Sequence, residues 1–250
     1  MDTTSPTRVV VVTGAGTGIG RATARAFAGQ GATVVAVGRR KEPLRETAEG
    51  RPGIHPFVAD VTAEGAAEQI VDATVTAHGG LDVLVNNAGI SSGGPLGTLD
   101  RSVIAPLLET NLVAPVLLTQ AAVPALKESR GVVVNVSTTV GQRGWPANSV
   151  YPATKSALET LTRCWALELA PAGVRVVAVA PGAIDTPIAD HTGLSPERLA
   201  ALRVWQLAHT PLGRLGRPEE VAWVITSLAA PDAGFLTGAV VPVDGGALVT

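Results

Sequence analysis

Val9-Val10-Val11-Val12-Thr13-Gly14-Ala15-Gly16-Thr17-Gly18-Ile19-Gly20 decides the fold. The unbroken valine run reads as a strand buried on both faces, because a half-solvated strand would alternate apolar with polar residues. The run breaks into glycines spaced Gly-x-x-x-Gly-x-Gly, and a helical pattern starts near Arg21. Glycines at a strand-to-helix junction allow a tight turn and let backbone approach a pyrophosphate, whose charge the free N–H groups of the helix start favour. Gly14, Thr17, Gly18, Ile19 and Gly20 are therefore candidate dinucleotide contacts.

The same rhythm continues outward. Short β-branched runs at 33–37, 56–59, 83–85, 132–136, 174–179 and 239–243 alternate with helical patterns at 21–29, 64–78, 101–127, 156–170 and 219–229. Most runs are apolar throughout. This repetition predicts right-handed βαβ units and an α/β fold with a doubly wound parallel sheet covered by helices. No linker or low-complexity tract interrupts it, so residues 1–250 read as a single domain. Segment 183–217 breaks the rhythm with Pro187, Pro196 and Pro211 around a short helical patch at 197–207. Such an excursion has the character of a substrate-binding loop.

Composition removes several function classes. With 19 Lys+Arg against 21 Asp+Glu, a net charge of −2 gives no electrostatic basis for binding nucleic acid or an anionic membrane. Cys164 is the only cysteine, so no intramolecular disulfide forms; its place in the apolar helical stretch 161–169 predicts a buried, inert thiol. His55, His78, His191 and His209 have no ligand spacing, and no metal is expected. The short polar segment 1–8 does not read as a signal peptide, and no apolar run reaches membrane-spanning length without Gly, Pro or a charge. A cytoplasmic protein is expected.

Two further stretches carry chemistry. Gly38-Arg39-Arg40 follows the second strand, where a carboxylate would bind the 2′-hydroxyl of an adenosine ribose. Arginines there suit a 2′-phosphate instead, which favours NADP(H) over NAD(H). Asp60 and Val61, after the third strand, fall beside the adenine. Tyr151-Pro152-Ala153-Thr154-Lys155 opens a helical stretch, which puts Tyr151 and Lys155 on one face. A phenol titrates near pH 10, and a nearby ammonium lowers that value towards the range useful for acid–base catalysis. Tyr151 is the only tyrosine in the chain.

Thr13–Gly20, Asn86-Asn87-Ala88-Gly89, Asn111, Asn135–Thr138, Tyr151-x-x-x-Lys155, Pro181-Gly182, 216–221, Leu236-Thr237-Gly238 and Val243-Asp244-Gly245-Gly246 together resemble the short-chain dehydrogenase/reductase family, and the C-terminal third resembles its 3-oxoacyl-acyl-carrier-protein reductase branch. The resemblance implies a Rossmann-like sheet of seven strands with helices on both faces, and hydride transfer between a nicotinamide and a carbonyl carbon. It implies Tyr151 as proton donor or base, Lys155 holding the nicotinamide ribose and depressing the Tyr151 pKa, and Asn111 binding a water linked to Lys155. Asn87, Ala88 and Gly89 would support the cofactor; Ile184 and Thr186, after Pro181-Gly182, would contact its carboxamide. The chain departs from the family at one point. The family's substrate-binding serine falls thirteen residues before the tyrosine, which is Thr138 here, with Ser137 beside it. Thr138 takes the role because its hydroxyl can still donate, and Ser137 should face away.

The resemblance places the substrate pocket at 91–96, 140–150 and 183–212, with Trp145, Ile184, Ile188, Leu194, Trp205 and Leu207 in it and Arg143, Arg198, Arg203 and Arg214 nearby. That lining suits an uncharged or weakly polar ketone or alcohol, with an acyl-carrier partner conceivable. It also implies a homotetramer. Two other readings stand beside the reductase: a non-catalytic nucleotide-sensing protein, which has no need of Asn111, Tyr151 and Lys155 together, and an epimerase or dehydratase, for which the chain is short.

Overall fold

The computed structural model describes residues 7–142, 147–187 and 195–249. A seven-stranded sheet runs through it in the order β3-β2-β1-β4-β5-β6-β7, with every neighbouring pair parallel. The strands are β1 (Val9–Thr13), β2 (Thr33–Gly38), β3 (Ile54–Val58), β4 (Val83–Asn86), β5 (Val132–Val136), β6 (Arg175–Pro181) and β7 (Val240–Val243). Between them lie α1 (Gly18–Gly29), α2 (Lys41–Ala48), α3 (Ala66–His78), α4 (Arg101–Leu108), α5 (Ala114–Ser129), α6 (Val150–Leu169), α7 (Pro196–Ala208) and α8 (Pro218–Ala229).

The apolar runs behave as their composition predicts. In β1 and β5 every residue is buried, and alternate residues feed opposite cores. Val10, Val12 and Val134 join Phe27 and Ile225 on one face; Val11 and Val133 join Ile70, Leu118 and Leu126 on the other. Each such side chain stabilises the fold by roughly 1.5–3 kcal/mol on burial. Edge strand β3 differs. It begins two residues before the expected run, and His55, Pro56 and Val58 are exposed there. An edge position tolerates Pro56, which has no N–H for the ladder.

The chain winds from β1 to β2 and β3 on one side, then crosses to β4 and onward on the other. That reversal opens a crevice beyond the carboxyl ends of β1 and β4, where ligands of such sheets bind.

Three features depart from the sequence reading. Helix α2 was not expected, since its eight residues include Pro43 and four charges. Tertiary bonds hold it: Thr47 Oγ1 donates to Ala15 O at 2.9 Å, and Arg25 Nε donates to Thr47 O at 3.2 Å. The expected helix 101–127 is interrupted by a π-turn at Glu109–Val113, closed by the Ala114 N–H bond to Glu109 O. Arg101–Ser129 is apolar and long enough to cross a membrane by length and composition, but here Leu107, Leu118, Ala122 and Leu126 are buried within the fold. Cys164 is exposed, not buried. The buried stripe of α6 runs through Leu158, Thr162, Ala166 and Leu169, and Cys164 lies off it.

Candidate functional site

The carboxyl ends of the central strands border a cleft of about 1730 Å³. Its dinucleotide end is built from the glycine turn. Gly14 sits at φ +64°, where only glycine is unstrained, and a Cβ on Gly20 would strike the Gly14 carbonyl oxygen. Helix α1 has no side-chain cap and no acidic residue in its first turn, so its N–H groups are left for an anion. Thr13 braces the next loop: its Oγ1 accepts from the Asn87 and Ala88 N–H groups at 3.0 and 2.9 Å, and Asn87 Nδ2 donates to Thr13 O at 2.8 Å.

Gly38, Arg39, Arg40, Asp60 and Val61 line the far end of this cleft. Arg39 lies 4.0 Å from Asp60, and both side chains are largely open to solvent. Burial alone would raise the Asp60 pKa, but the Thr62 N–H and hydroxyl bonds and the Arg39 charge hold it below the usual carboxylate value. An exposed pair at that distance is weak. The residues fit a dinucleotide: the bare helix-start N–H groups suit its pyrophosphate.

At the other end, Tyr151 and Lys155 stand one turn apart in α6. Thr138 lines the same wall of the cleft as Tyr151. Lys155 is 4 % exposed, and its Nζ donates to Val136 O at 2.8 Å. Burial pushes the Lys155 pKa down to about 8. Burial also pushes the Tyr151 pKa up, with the Thr138 hydroxyl pulling it back. This corrects the expectation that Lys155 lowers the Tyr151 pKa: the ammonium faces a strand carbonyl, and the opposing pull comes from Thr138.

Thr138 Oγ1 also donates to Pro181 O at 3.3 Å, whereas Ser137 Oγ is turned to Glu159 at 2.7 Å. Asn111 is fully buried in the π-turn. Its Oδ1 accepts from the Ile90 N–H and its Nδ2 donates to Ile90 O, each at 2.9 Å. A Cβ on Gly89 would lie 3.3 Å from both Asn111 Oδ1 and Lys155 Nζ, so this loop, Asn111 and Lys155 converge. Asn111 sits behind the wall of the cleft; the other residues singled out as catalytic or cofactor-binding line it, from Gly14 through Thr186.

The substrate end is formed by residues 91–93, Val140, Ala147, Asn148 and one side of α7, including Leu199 and Leu202. Trp205 stacks on His209 at 3.9 Å, and Arg203 pairs with Asp185 at 3.1 Å. Arg214 and Leu207 do not line the cleft; Arg214 is bound to Glu220 at 2.7 Å. Arg143, Trp145, Ile188, His191 and Leu194 lie outside the described residues. Glu159, absent from the sequence-based candidates, follows Tyr151 and Lys155 at the same four-residue spacing, which is the signal that could have found it.

A family model described as enoyl-(acyl carrier protein) reductase matches residues 14–247. The chain is 40% identical over 247 residues to 3-oxoacyl-[acyl-carrier-protein] reductase FabG of Thermotoga maritima, covering 97% of this chain and 98% of that protein. It is 41% identical over 245 residues to cis-4-hydroxycyclohexanecarboxylate dehydrogenase of Sinomonas cyclohexanicum, covering 96% of each. Among solved structures, the 3-ketoacyl-(acyl-carrier-protein) reductase of Brucella melitensis complexed with NADH superimposes with a TM-score of 0.88 at 32% identity, covering 96% of this chain and 98% of that one.

Proposed function

As a member of the short-chain dehydrogenase/reductase family, the chain is an oxidoreductase acting on a secondary alcohol or its ketone, and we propose that it uses NADP(H), with Tyr151 as the general acid or base. The observation that carries the reading is that Tyr151, Thr138 and Lys155 line one cleft together with the glycine turn.

A bound nicotinamide supplies or accepts the hydride. In reduction, the Tyr151 hydroxyl gives its proton to the carbonyl oxygen as negative charge develops there, and Thr138 Oγ1 donates a hydrogen bond to the same oxygen. In oxidation the phenolate removes the alcohol proton. The Lys155 ammonium, which donates to Val136 O here, would hold the nicotinamide ribose. Asn111 fixes the loop at Ile90, and the water linked to Lys155 is assigned to it.

NADP(H) is favoured because Gly38 leaves no carboxylate to repel a 2′-phosphate and Arg39 and Arg40 line the cleft beside it. Arg39→Ala should lower kcat/KM with NADPH by about tenfold or more and leave NADH turnover within about twofold, since charge-assisted bonds to phosphate are among the strong ones. Equal loss with both cofactors would overturn the assignment.

The substrate is a weakly polar ketone. A 3-oxoacyl thioester is the second reading, favoured by the Thermotoga relative. The non-catalytic alternative is set aside, since both curated relatives are named for redox reactions. A homotetramer working in the cytoplasm completes the proposal; light scattering of a monomer would contradict the assembly. The decisive experiment follows NADPH consumption across a panel of ketones, with Tyr151→Phe as control.

A further inference from the structure

Three successive residues at the end of β5 meet three successive turns of α6. Lys155 Nζ donates to Val136 O at 2.8 Å, Ser137 Oγ donates to Glu159 Oε1 at 2.7 Å, and Thr138 lines the cleft together with Tyr151. The outer two pairs involve groups that change partners in the proposed reaction. The substrate oxygen takes over both Thr138 and Tyr151, and Lys155 turns to the ribose. The middle contact involves neither of the groups that act on the substrate oxygen nor the ammonium assigned to the ribose, and can persist through turnover.

Glu159 is an unusual residue for that place. It is 7 % exposed, and its carboxylate receives neutral donors, Ser137 Oγ at 2.7 Å and Gln142 Nε2 at 3.3 Å. None of the ion pairs among the described residues includes it. Neutral hydrogen bonds offset only part of the cost of burying an anion, and an apolar side chain there would avoid it. Fold stability therefore gives no reason for a carboxylate. Position does: Ser137 Oγ also lies 3.3 Å from Lys155 O, so the serine is held between two successive turns of α6. The remaining bonds of Thr138, to Pro181 O at 3.3 Å and from Val140 N at 3.4 Å, are long and hold it loosely.

We propose that Glu159 is a positioning residue for carbonyl reduction: through Ser137 it clamps the end of β5 to α6, and so keeps Thr138 opposite Tyr151 when the substrate oxygen enters between them. The inference rests on the roles assigned above to Thr138 and Tyr151.

The test compares Glu159→Ala, Glu159→Gln, Thr138→Ala and the Thr138→Ala/Glu159→Ala double variant for kcat, KM, NADPH affinity and melting temperature. Glu159→Ala should lower kcat by about tenfold or more, the scale on which sub-ångström misplacement acts, while NADPH affinity stays within about twofold. Glu159→Gln should keep most of kcat, because its amide oxygen still accepts from Ser137. On the Thr138→Ala background, Glu159→Ala should add less than about twofold, because a group acting through Thr138 has nothing left to position. A full additional loss in the double variant, or a Glu159→Gln variant as impaired as Glu159→Ala, overturns the proposal. If Glu159→Ala fails to fold, Ser137→Ala breaks the clamp from the other side and should show the same split between kcat and NADPH affinity.

A wild-type protein inactive on every ketone would refute the proposed reaction rather than the clamp, which a second readout follows without turnover. Tyr151 is the only tyrosine, so isotope labelling at Tyr Cζ gives one NMR resonance that reports the surroundings of its hydroxyl, Thr138 among them. Glu159→Ala should move that resonance and Glu159→Gln should not; an unmoved resonance in Glu159→Ala overturns the clamp.

Discussion

Helices α6 and α7 face the same cleft and are held in opposite ways. Helix α6 buries Leu158, Thr162, Ala166 and Leu169 against the sheet and is tied to β5 by Lys155, Glu159 and the Thr162–Asn135 bond. Helix α7 buries no residue; what holds it includes the Ser195 cap, the Arg203–Asp185 ion pair and the Trp205–His209 stack. Groups that must be placed to a fraction of an ångström sit on the first. The surface that meets the variable part of a substrate sits on the second. A rigid element suits proton transfer, and a lightly docked one can adapt to what it encloses.

The largest effect that could break this division is on α6. Tyr151→Phe should lower turnover by about a thousandfold or more, the upper part of the range for general acid–base catalysis, with the fold intact by circular dichroism. Parent-like turnover would remove the chemistry from α6 altogether.

Lys155→Met should cost nearly as much activity yet leave the protein as stable or more so at neutral pH. Its folded pKa, pushed down to about 8, lies below the ordinary 10.5. Between those values the unfolded chain binds the extra proton, so burial of Lys155 weighs on stability below pH 8 and the burden lifts as pH rises towards 10.5. The melting-temperature advantage of Lys155→Met should therefore shrink over that window; an advantage that grows with pH would be inconsistent with a depressed lysine.

Thr138→Ala should lose about a hundredfold in kcat, the scale seen for removing one donor from a developing oxyanion, and Ser137→Ala clearly less. The rising limb of the alcohol-oxidation pH profile should move to higher pH in Thr138→Ala, because the hydroxyl that pulls the Tyr151 pKa down is gone. Equal losses, or Ser137→Ala the worse, would mean that the roles of the two hydroxyls are misassigned.

The smallest effects belong to α7. Leu202→Ala should raise the ketone KM severalfold and leave kcat and melting temperature almost unchanged, because Leu202 is only half-buried and lies outside the packed core. Leu158→Ala in α6 should instead lose about 2–5 kcal/mol of stability. Matching thermal losses at the two sites would erase the contrast.

The parts of the molecule that were legible in the sequence are those governed by short-range rules. The valine run of β1, the glycine turn and the Tyr151–Lys155 spacing each carry their meaning within a dozen residues, and the sheet and cleft follow from them. What was not legible depends on distant partners. Helix α2 is fastened by Arg25 and Ala15; the side of α6 that buries residues, and so the exposure of Cys164, is set by where the sheet lies. The electrostatics of Lys155 could not be read from its distance along the helix, because Val136 O, from another element, decides where the ammonium points. Glu159 was hidden for the same reason: on a helix a glutamate reads as solvated until the strand beneath it is known.

The π-turn at Glu109–Val113 leaves the stretch from Arg101 to Ser129 out of phase with itself. An i→i−5 closure lodges about one residue more than regular α-helix would carry, so α4 and α5 each show their own best side and Asn111 falls on the seam. Deleting one residue of that turn would restore an unbroken spiral, and α4 would then be rotated by about 100° relative to α5. The seam is thus a point of rotational adjustment, where a single-residue gap or insertion changes which side chain looks inward without disturbing the sheet beneath.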